Sequence, residues 1–165
     1  MADCGRGVAL CETCTPKAAC KLGVSDLRLT PEGTVLGRFV VPDDARGHVV
    51  AHGGWVAWVF DEALGLLPHR DDEWAVTTSL SIRYIRPVPI GAVIEVRSWL
   101  DDSDGDLRML RGDMRLAGTD TVLAAASGRW LVLHDPDRHY DRARDWAREV
   151  IAEQATGGAQ AVVAR

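Results

Sequence analysis

Apolar and polar positions alternate in short runs along most of this chain, and one run in the first half does not alternate at all. In residues 79–84, Leu80, Ile82 and Tyr84 interleave with Ser79, Ser81 and Arg83, and in residues 92–96 the apolar positions again follow a period of two. A period of two marks strands with one face on a core. Four such runs are predicted at about 75–86, 91–101, 106–117 and 120–134. The polar stretches Asp101-Asp102-Ser103-Asp104-Gly105 and Ala117-Gly118-Thr119-Asp120 are predicted turns between them. Earlier in the chain, residues 25–30 and 34–41 read as a hairpin about Pro31-Glu32-Gly33, and 42–47 as a polar loop. The exception is the run from Gly54 to about Leu67, apolar on nearly every side, as in a helix surrounded by protein. Alternation along the first of the four strand runs places Thr77 and Ser79 on one face and Thr78 on the other. One apolar helix between a hairpin and four long strands predicts an α+β fold, an antiparallel sheet wrapped around the helix. Residues 137–154 read as a second helix, with Tyr140, Trp146, Val150 and Ile151 on one side and local ion pairs on the other. Beyond it, 155–165 reads as a frayed end. The expected organisation is therefore an N-terminal segment 1–24, a central domain 25–134, and a helix with tail 135–165.

Bulk properties narrow the function classes. A chain of 165 residues with 47% hydrophobic and 26% charged residues fits one globular domain, or one protomer of an assembly. A formal net charge of −5 without a basic block argues against a nucleic-acid surface. The absence of any 18-residue apolar run argues against a membrane span, and the start of the chain does not read as a signal peptide, so the expected location is cytoplasmic. All four cysteines, Cys4, Cys11, Cys14 and Cys20, fall in the first 20 residues. Cys11-x-x-Cys14 is a candidate zinc knuckle that Cys4 and Cys20 could complete, but the usual second C-x-x-C is missing, and reduced free thiols are the other reading.

The chemistry concentrates at the start of the apolar helix, in His52-Gly53-Gly54 followed by Asp61. A helix N-terminus carries unpaired N–H groups and partial positive charge, so it can hold an oxygen that becomes negative during a reaction. Glycine lets a ligand carbonyl approach that backbone without meeting a Cβ atom. Asp61 lies seven residues after Gly54, about two turns, and returns to nearly the same face. Oxyanion donors and a carboxylate on one side of a helix are two parts of an acyl-transfer site. Glu62 lies about 100° around the helix from Asp61, and the face Gly54, Ala57, Trp58, Asp61, Gly65 favours Asp61. No serine sits in a G-x-S-x-G elbow, which argues against serine-hydrolase chemistry.

Three blocks resemble the hotdog-fold thioesterases, in particular the PaaI-like branch of the 4-hydroxybenzoyl-CoA thioesterase superfamily. The first is His52-Gly53-Gly54 with Asp61 nine residues after the histidine; the second is the strand ending in Tyr84 with Pro87 and Gly91 beyond it; the third is the late strand through Ala124, Gly128 and Trp130. Together they cover roughly residues 25–134. The resemblance implies a hotdog fold, acyl-CoA or acyl-carrier-protein thioester hydrolysis without metal or organic cofactor, and a homodimer or homotetramer whose sites form between protomers. It implies that Gly53 and Gly54 supply the oxyanion N–H groups, that Asp61 is general base or nucleophile, that His52 holds the loop and contacts the thioester, and that the Thr77 hydroxyl reaches the partner's site. His48, Trp58, Arg83 and Arg86 are candidates for substrate contact, the arginines for the pantetheine diphosphate. Simpler roles stand beside these: a capping carboxylate for Asp61, a loop-fixing ring for His52, a good strand former for Thr77, core packing for Trp58, and solvated surface for both arginines. One departure is Arg46, at the position where many PaaI-like enzymes carry asparagine. The rival functions are an acyl-ligand-binding hotdog protein without turnover, a metal- or redox-controlled module built on the cysteines, and a hotdog hydratase.

Overall fold

A computed structural model describes residues 27–157 of the chain. The expectations for residues 1–24, with the four cysteines, and for the end of the tail from residue 158 lie outside the described residues. Two compact units divide at Val132/Leu133.

In the first unit, β1 (Arg28–Leu29), β2 (Thr34–Val40), α1 (Gly53–Gly65), β3 (Ala75–Tyr84), β4 (Val93–Asp104), β5 (Leu107–Leu116) and β6 (Val122–Val132) follow one another along the chain. Two short 3₁₀ turns, Asp43–Ala45 and Pro68–Asp71, flank α1. The strands form one antiparallel sheet in the order β1-β2-β4-β5-β6-β3. This is the α+β arrangement that the alternation predicts. Although β3 is third in sequence among the strands, it lies at an edge, next to β6.

The core lies between one face of the sheet and α1. Trp55, Val56, Val59, Phe60, Ala63 and Leu64 point into it from the helix. Val35 and Phe39 of β2, Ile94 and Val96 of β4, Leu110 and Met114 of β5, and Ala124, Ala126 and Trp130 of β6 meet them. Phe39 and Trp55 pack edge to face, with ring centroids 6.3 Å apart. Ser98 is the buried exception: its hydroxyl donates to Ala63 O at 2.6 Å. The reason lies at the helix end. There the chain tightens, and the Leu67 N–H that would serve Ala63 O in a continued α-helix goes to Leu64 O instead. Ser98 supplies the missing donor.

Three expectations change. The helix is not enclosed on every side: Trp58 is 50% exposed, and Gly54, Ala57, Asp61 and Glu62 line an open stripe beside it. The polar run Asp101–Asp104 is not a turn but the end of β4, paired with β5 as far as Asp104 opposite Leu107. These residues extend beyond the core, where acidic side chains carry no burial cost, and only Gly105 and Asp106 make the turn, Gly105 in the left-handed region at φ 54°. The strict alternation of β3 also fails. A bulge between Thr77 and Ser79 sets Thr77 opposite buried Trp130 and Ser79 opposite Arg129, so the two lie on opposite faces.

The outer face of the sheet carries a lattice of ion pairs. Arg97 and Arg115 both reach Asp113, at 3.3 and 2.9 Å, and Arg38 reaches Glu95 at 3.6 Å. The Arg97 guanidinium also lies 5.1 Å from the Trp99 ring centroid.

The second unit holds α2 (Pro136–Gly157). The local pairs expected on its polar side are present as Arg144–Asp141 and Arg148–Asp145. Trp146 and Ile151, expected on its apolar side, are each 66% exposed. No helix among the described residues is long and apolar enough to cross a membrane.

Removing the Ser98 hydroxyl leaves Ala63 O buried without its side-chain donor. Ser98→Ala should lower unfolding stability by about 1–3 kcal/mol, read as a shift of the urea midpoint at unchanged slope.

Candidate functional site

Four backbone features assemble the start of α1. Arg46 and Ala51 form an isolated bridge, His52 N–H donates to Ala45 O at 2.7 Å, and Ala51 N–H donates to Val88 O at 2.9 Å. The loop 46–51 is thereby drawn back beside the helix entry and tied to the segment after β3. The fourth is the N-cap, His52. Its backbone is extended, and its ring Nδ1 accepts the Gly54 N–H at 2.9 Å. The Gly53 N–H has no partner among the described residues.

Asp61, two turns along, points to the open stripe. Its Oδ1 accepts a hydrogen bond from Thr77 Oγ1 at 2.8 Å, across to the edge strand of the same chain. The bulge in β3 explains how Thr77 comes to face the helix. Thr78, the extra residue, turns its hydroxyl to Arg129 O at 3.0 Å instead. The Glu62 side chain has no hydrogen-bond or ion-pair partner among the described residues. Its carboxyl is pushed above the usual glutamate range, first by burial and then by the neighbouring Asp61 charge. The two adjacent carboxylates thus differ: Asp61 has a hydroxyl donor, Glu62 has none.

The other sequence candidates scatter. Trp58 lies on the open stripe between Gly54 and Asp61. His48 is exposed in the loop before the helix. Arg46, in the position of the family asparagine, is held by Asp43 at 2.6 Å on its own loop. Arg86 donates to Val122 O at 2.9 Å and borders a pocket of about 340 Å³ formed with Val50, Ala51, Val56, Tyr84 and Val88. Arg83 is not brought to that pocket: opposite Ala125 in the β3–β6 pairing, it lies on the outer face of the sheet. A larger open recess of about 740 Å³ on that outer face is lined by Arg38, Glu95, Arg97, Asp113 and Arg115. It shares no residue with the helix start, and much of its charge is spent in the ion pairs described above.

One residue that the sequence marks only as a strand end, and not as a site residue, is Tyr84, the last residue of β3. Its hydroxyl donates to Gly53 O at 2.9 Å. As a tyrosine closing an alternating strand it reads as packing, and only the fold brings it to the helix entry. Among the described residues no group of three or more His, Cys, Asp or Glu side chains is placed to hold a metal ion.

The sequence pattern of the thioesterase superfamily matches residues 48–106, which span the helix start, Asp61, β3 and β4. The chain is 32% identical over 87 residues to acyl-coenzyme A thioesterase THEM4 of Bos taurus; the match covers 53% of this chain and 35% of that protein. Among solved structures, a mutant of the phenylacetic acid degradation protein PaaI of Thermus thermophilus is 27% identical with a TM-score of 0.61, covering 68% of this chain and 95% of that one. The protein smu.793 of Streptococcus mutans, solved bound to acetyl CoA, has the same fold at 20% identity and a TM-score of 0.61, covering 66% and 87%. With a sheet wrapped on one helix and the superfamily pattern taking in that helix from its start, this chain resembles the thioesterase superfamily over residues 48–106 and is similar in fold to PaaI.

Proposed function

We propose that the protein hydrolyses the thioester of an acyl-CoA, or of an acyl-carrier protein, to the free acid and thiol at a site built between two copies of the chain. The observation that carries this reading is the Asp61 carboxylate, oriented by Thr77 on the open side of a helix whose first turn leaves the Gly53 amide without a partner among the described residues and holds the Gly54 amide on His52 Nδ1. The bovine relative's name supports acyl-CoA as the substrate class, although the chain spans only 35% of that protein.

Two copies are needed on geometric grounds. Gly54 and Asp61 are separated by about 10 Å along the helix axis, seven residues at about 1.5 Å each. A reacting carbon has to sit about 3 Å from both the oxyanion donor and the attacking group. Two helices related by a two-fold axis perpendicular to them run antiparallel and, packed stripe to stripe, bring Gly54 of one copy beside Asp61 of the other. The unpaired edge of β3 and the open stripe of α1 lie on the side such a pairing would cover. The Thr77 hydroxyl then acts beside Asp61 of its own chain, while the amides it works with come from the second copy.

In the hydrolytic step the thioester oxygen accepts N–H bonds at the helix start and charge develops there. Asp61 either takes a proton from the attacking water or attacks the carbon itself to form a mixed anhydride. The carbon–sulfur bond breaks and the thiolate leaves and takes up a proton; in the direct route the attacking water has become part of the acid, and in the anhydride route a water then hydrolyses the anhydride and frees Asp61. Arg86 at the pocket mouth and Trp58 on the open stripe are the groups this reading places against the substrate's carrier arm and acyl part.

A second reading, acyl binding without turnover, is favoured by one observation: the Gly54 N–H is already engaged by His52 Nδ1. A panel of short, medium, long and aryl acyl-CoAs separates the two by thiol release. Asp61→Asn should cut kcat by at least about 100-fold, the lower range for a lost general base, and Thr77→Val by about tenfold through lost orientation of the carboxylate. Acyl-CoA that binds to the wild type without releasing thiol establishes the second reading. The composite site has its own check. Asp61→Asn and Gly54→Val proteins, each inactive, should recover about a quarter of wild-type activity when co-refolded in equal amounts, because half the dimers then hold one intact site of two.

A further inference from the structure

The peptide between Gly53 and Gly54 is held at both ends. Tyr84 Oη donates to its carbonyl oxygen at 2.9 Å, and its N–H donates to His52 Nδ1 at 2.9 Å. Inside an α-helix the carbonyl of Gly53 already faces the amide four residues on, and a peptide oxygen has two lone pairs. The bond from Tyr84 is therefore an addition to the helix's own pairing.

Its cost is visible in the packing. A Cβ on Gly53 would meet Tyr84 Oη at 3.3 Å and Cζ at 3.4 Å, so the ring lies flush against the glycine. A Cβ on Gly54 would meet His52 Nδ1 at 2.9 Å, so the histidine ring is seated as closely on the second glycine. Tyr84 remains 56% exposed, so apolar burial alone does not account for its seat. It also forms a wall of the pocket lined by Val50, Ala51, Val56 and Val88.

We propose that Tyr84 is a positioning residue for thioester hydrolysis: its hydroxyl on Gly53 O fixes and polarises the Gly53–Gly54 peptide, whose N–H passes from His52 Nδ1 to the thioester oxygen. This rests on the reading of Gly54 as an oxyanion donor. A trans peptide points its C=O and N–H in opposite directions, so a donor on the oxygen leaves the N–H end clear. Hydrogen bonds in series polarise one another, so the bond at the oxygen makes the N–H a stronger donor. The stronger donor matters most when the thioester oxygen carries negative charge, which is the transition state rather than the bound substrate. In the resting protein His52 Nδ1 marks the place that oxygen takes. The ring nitrogen keeps the N–H satisfied and gives way when the substrate arrives.

The test is Tyr84→Phe, which keeps the ring and removes only the hydroxyl. The expected result is a fall in kcat of about 5- to 30-fold, smaller than the roughly 100-fold or more for removing an oxyanion donor itself, with KM and melting temperature held. The amide proton of Gly54, followed by NMR in the substrate-free protein, should shift upfield as its hydrogen bond weakens. An unchanged kcat and an unmoved amide overturn the proposal; if Asp61→Asn is inactive in the same assay, the thioesterase reading stands without it. A parallel loss of kcat, KM and melting temperature also overturns it, because that is a packing role. Wild-type protein that releases no thiol from any acyl-CoA or acyl-carrier-protein thioester removes the reaction, and the proposal with it, wherever the amide resonates.

Discussion

Burial of Val56, Val59, Phe60, Ala63 and Leu64 against the sheet fixes the rotation of α1 about its own axis, and that rotation decides which side chains stay open. At about 1.5–3 kcal/mol for each large apolar side chain, the burial is worth on the order of 10 kcal/mol, far more than any single polar contact in the chain. With successive residues about 100° apart, the helix has no choice about what faces the other way: Gly54, Ala57, Trp58, Asp61 and Glu62. Ser98 adds direction to this non-directional force by tying the helix's last turn to β4.

The same rotation separates the two adjacent carboxylates. Asp61 faces the edge strand and receives the Thr77 hydroxyl; Glu62, half-buried at the border of the stripe, has no side-chain donor among the described residues, and burial followed by the Asp61 charge pushes its carboxyl above the usual glutamate range. Elsewhere charge is handled conventionally. Arg38, Arg97 and Arg115 on the outer sheet face are matched with Glu95 and Asp113, and Glu73 pairs with Arg108 to fasten the entry of β3 to β5. The start of α1 is the place where polar groups are held without being used up.

Periodicity is a sound guide wherever one side chain type meets one environment. Leu80 and Ile82 against Ser79, Ser81 and Arg83 specify a strand, and the length of the apolar run from Gly54 specifies a helix. The acidic run Asp101–Asp104 misleads because composition reports solvent exposure, and a strand projecting beyond its core is as exposed as a turn. Thr77, Thr78 and Ser79 carry no contrast in polarity, so the bulge among them leaves no trace in the pattern. His52, Gly53, Gly54 and Asp61 are close in sequence, and local helix geometry is enough to group them. Tyr84 is 31 residues from the glycine it contacts, and nothing short of the folded chain brings it there.

The bulge at Thr78 also bears on how this segment can change over time. A strand has a reading frame of two, and a slip of one residue exchanges its faces. Here one supernumerary residue has already been absorbed, so Thr77 belongs to one frame and everything from Ser79 to Tyr84 to the other. Losing that residue would straighten the strand and still leave a well-formed antiparallel partner for β6. Straightening the strand without that loss would instead put Thr77 and Tyr84, seven residues apart, on opposite faces and force a choice between keeping the threonine on Asp61 and keeping the tyrosine on Gly53. The irregularity is what allows a single strand to serve both ends of the same helix.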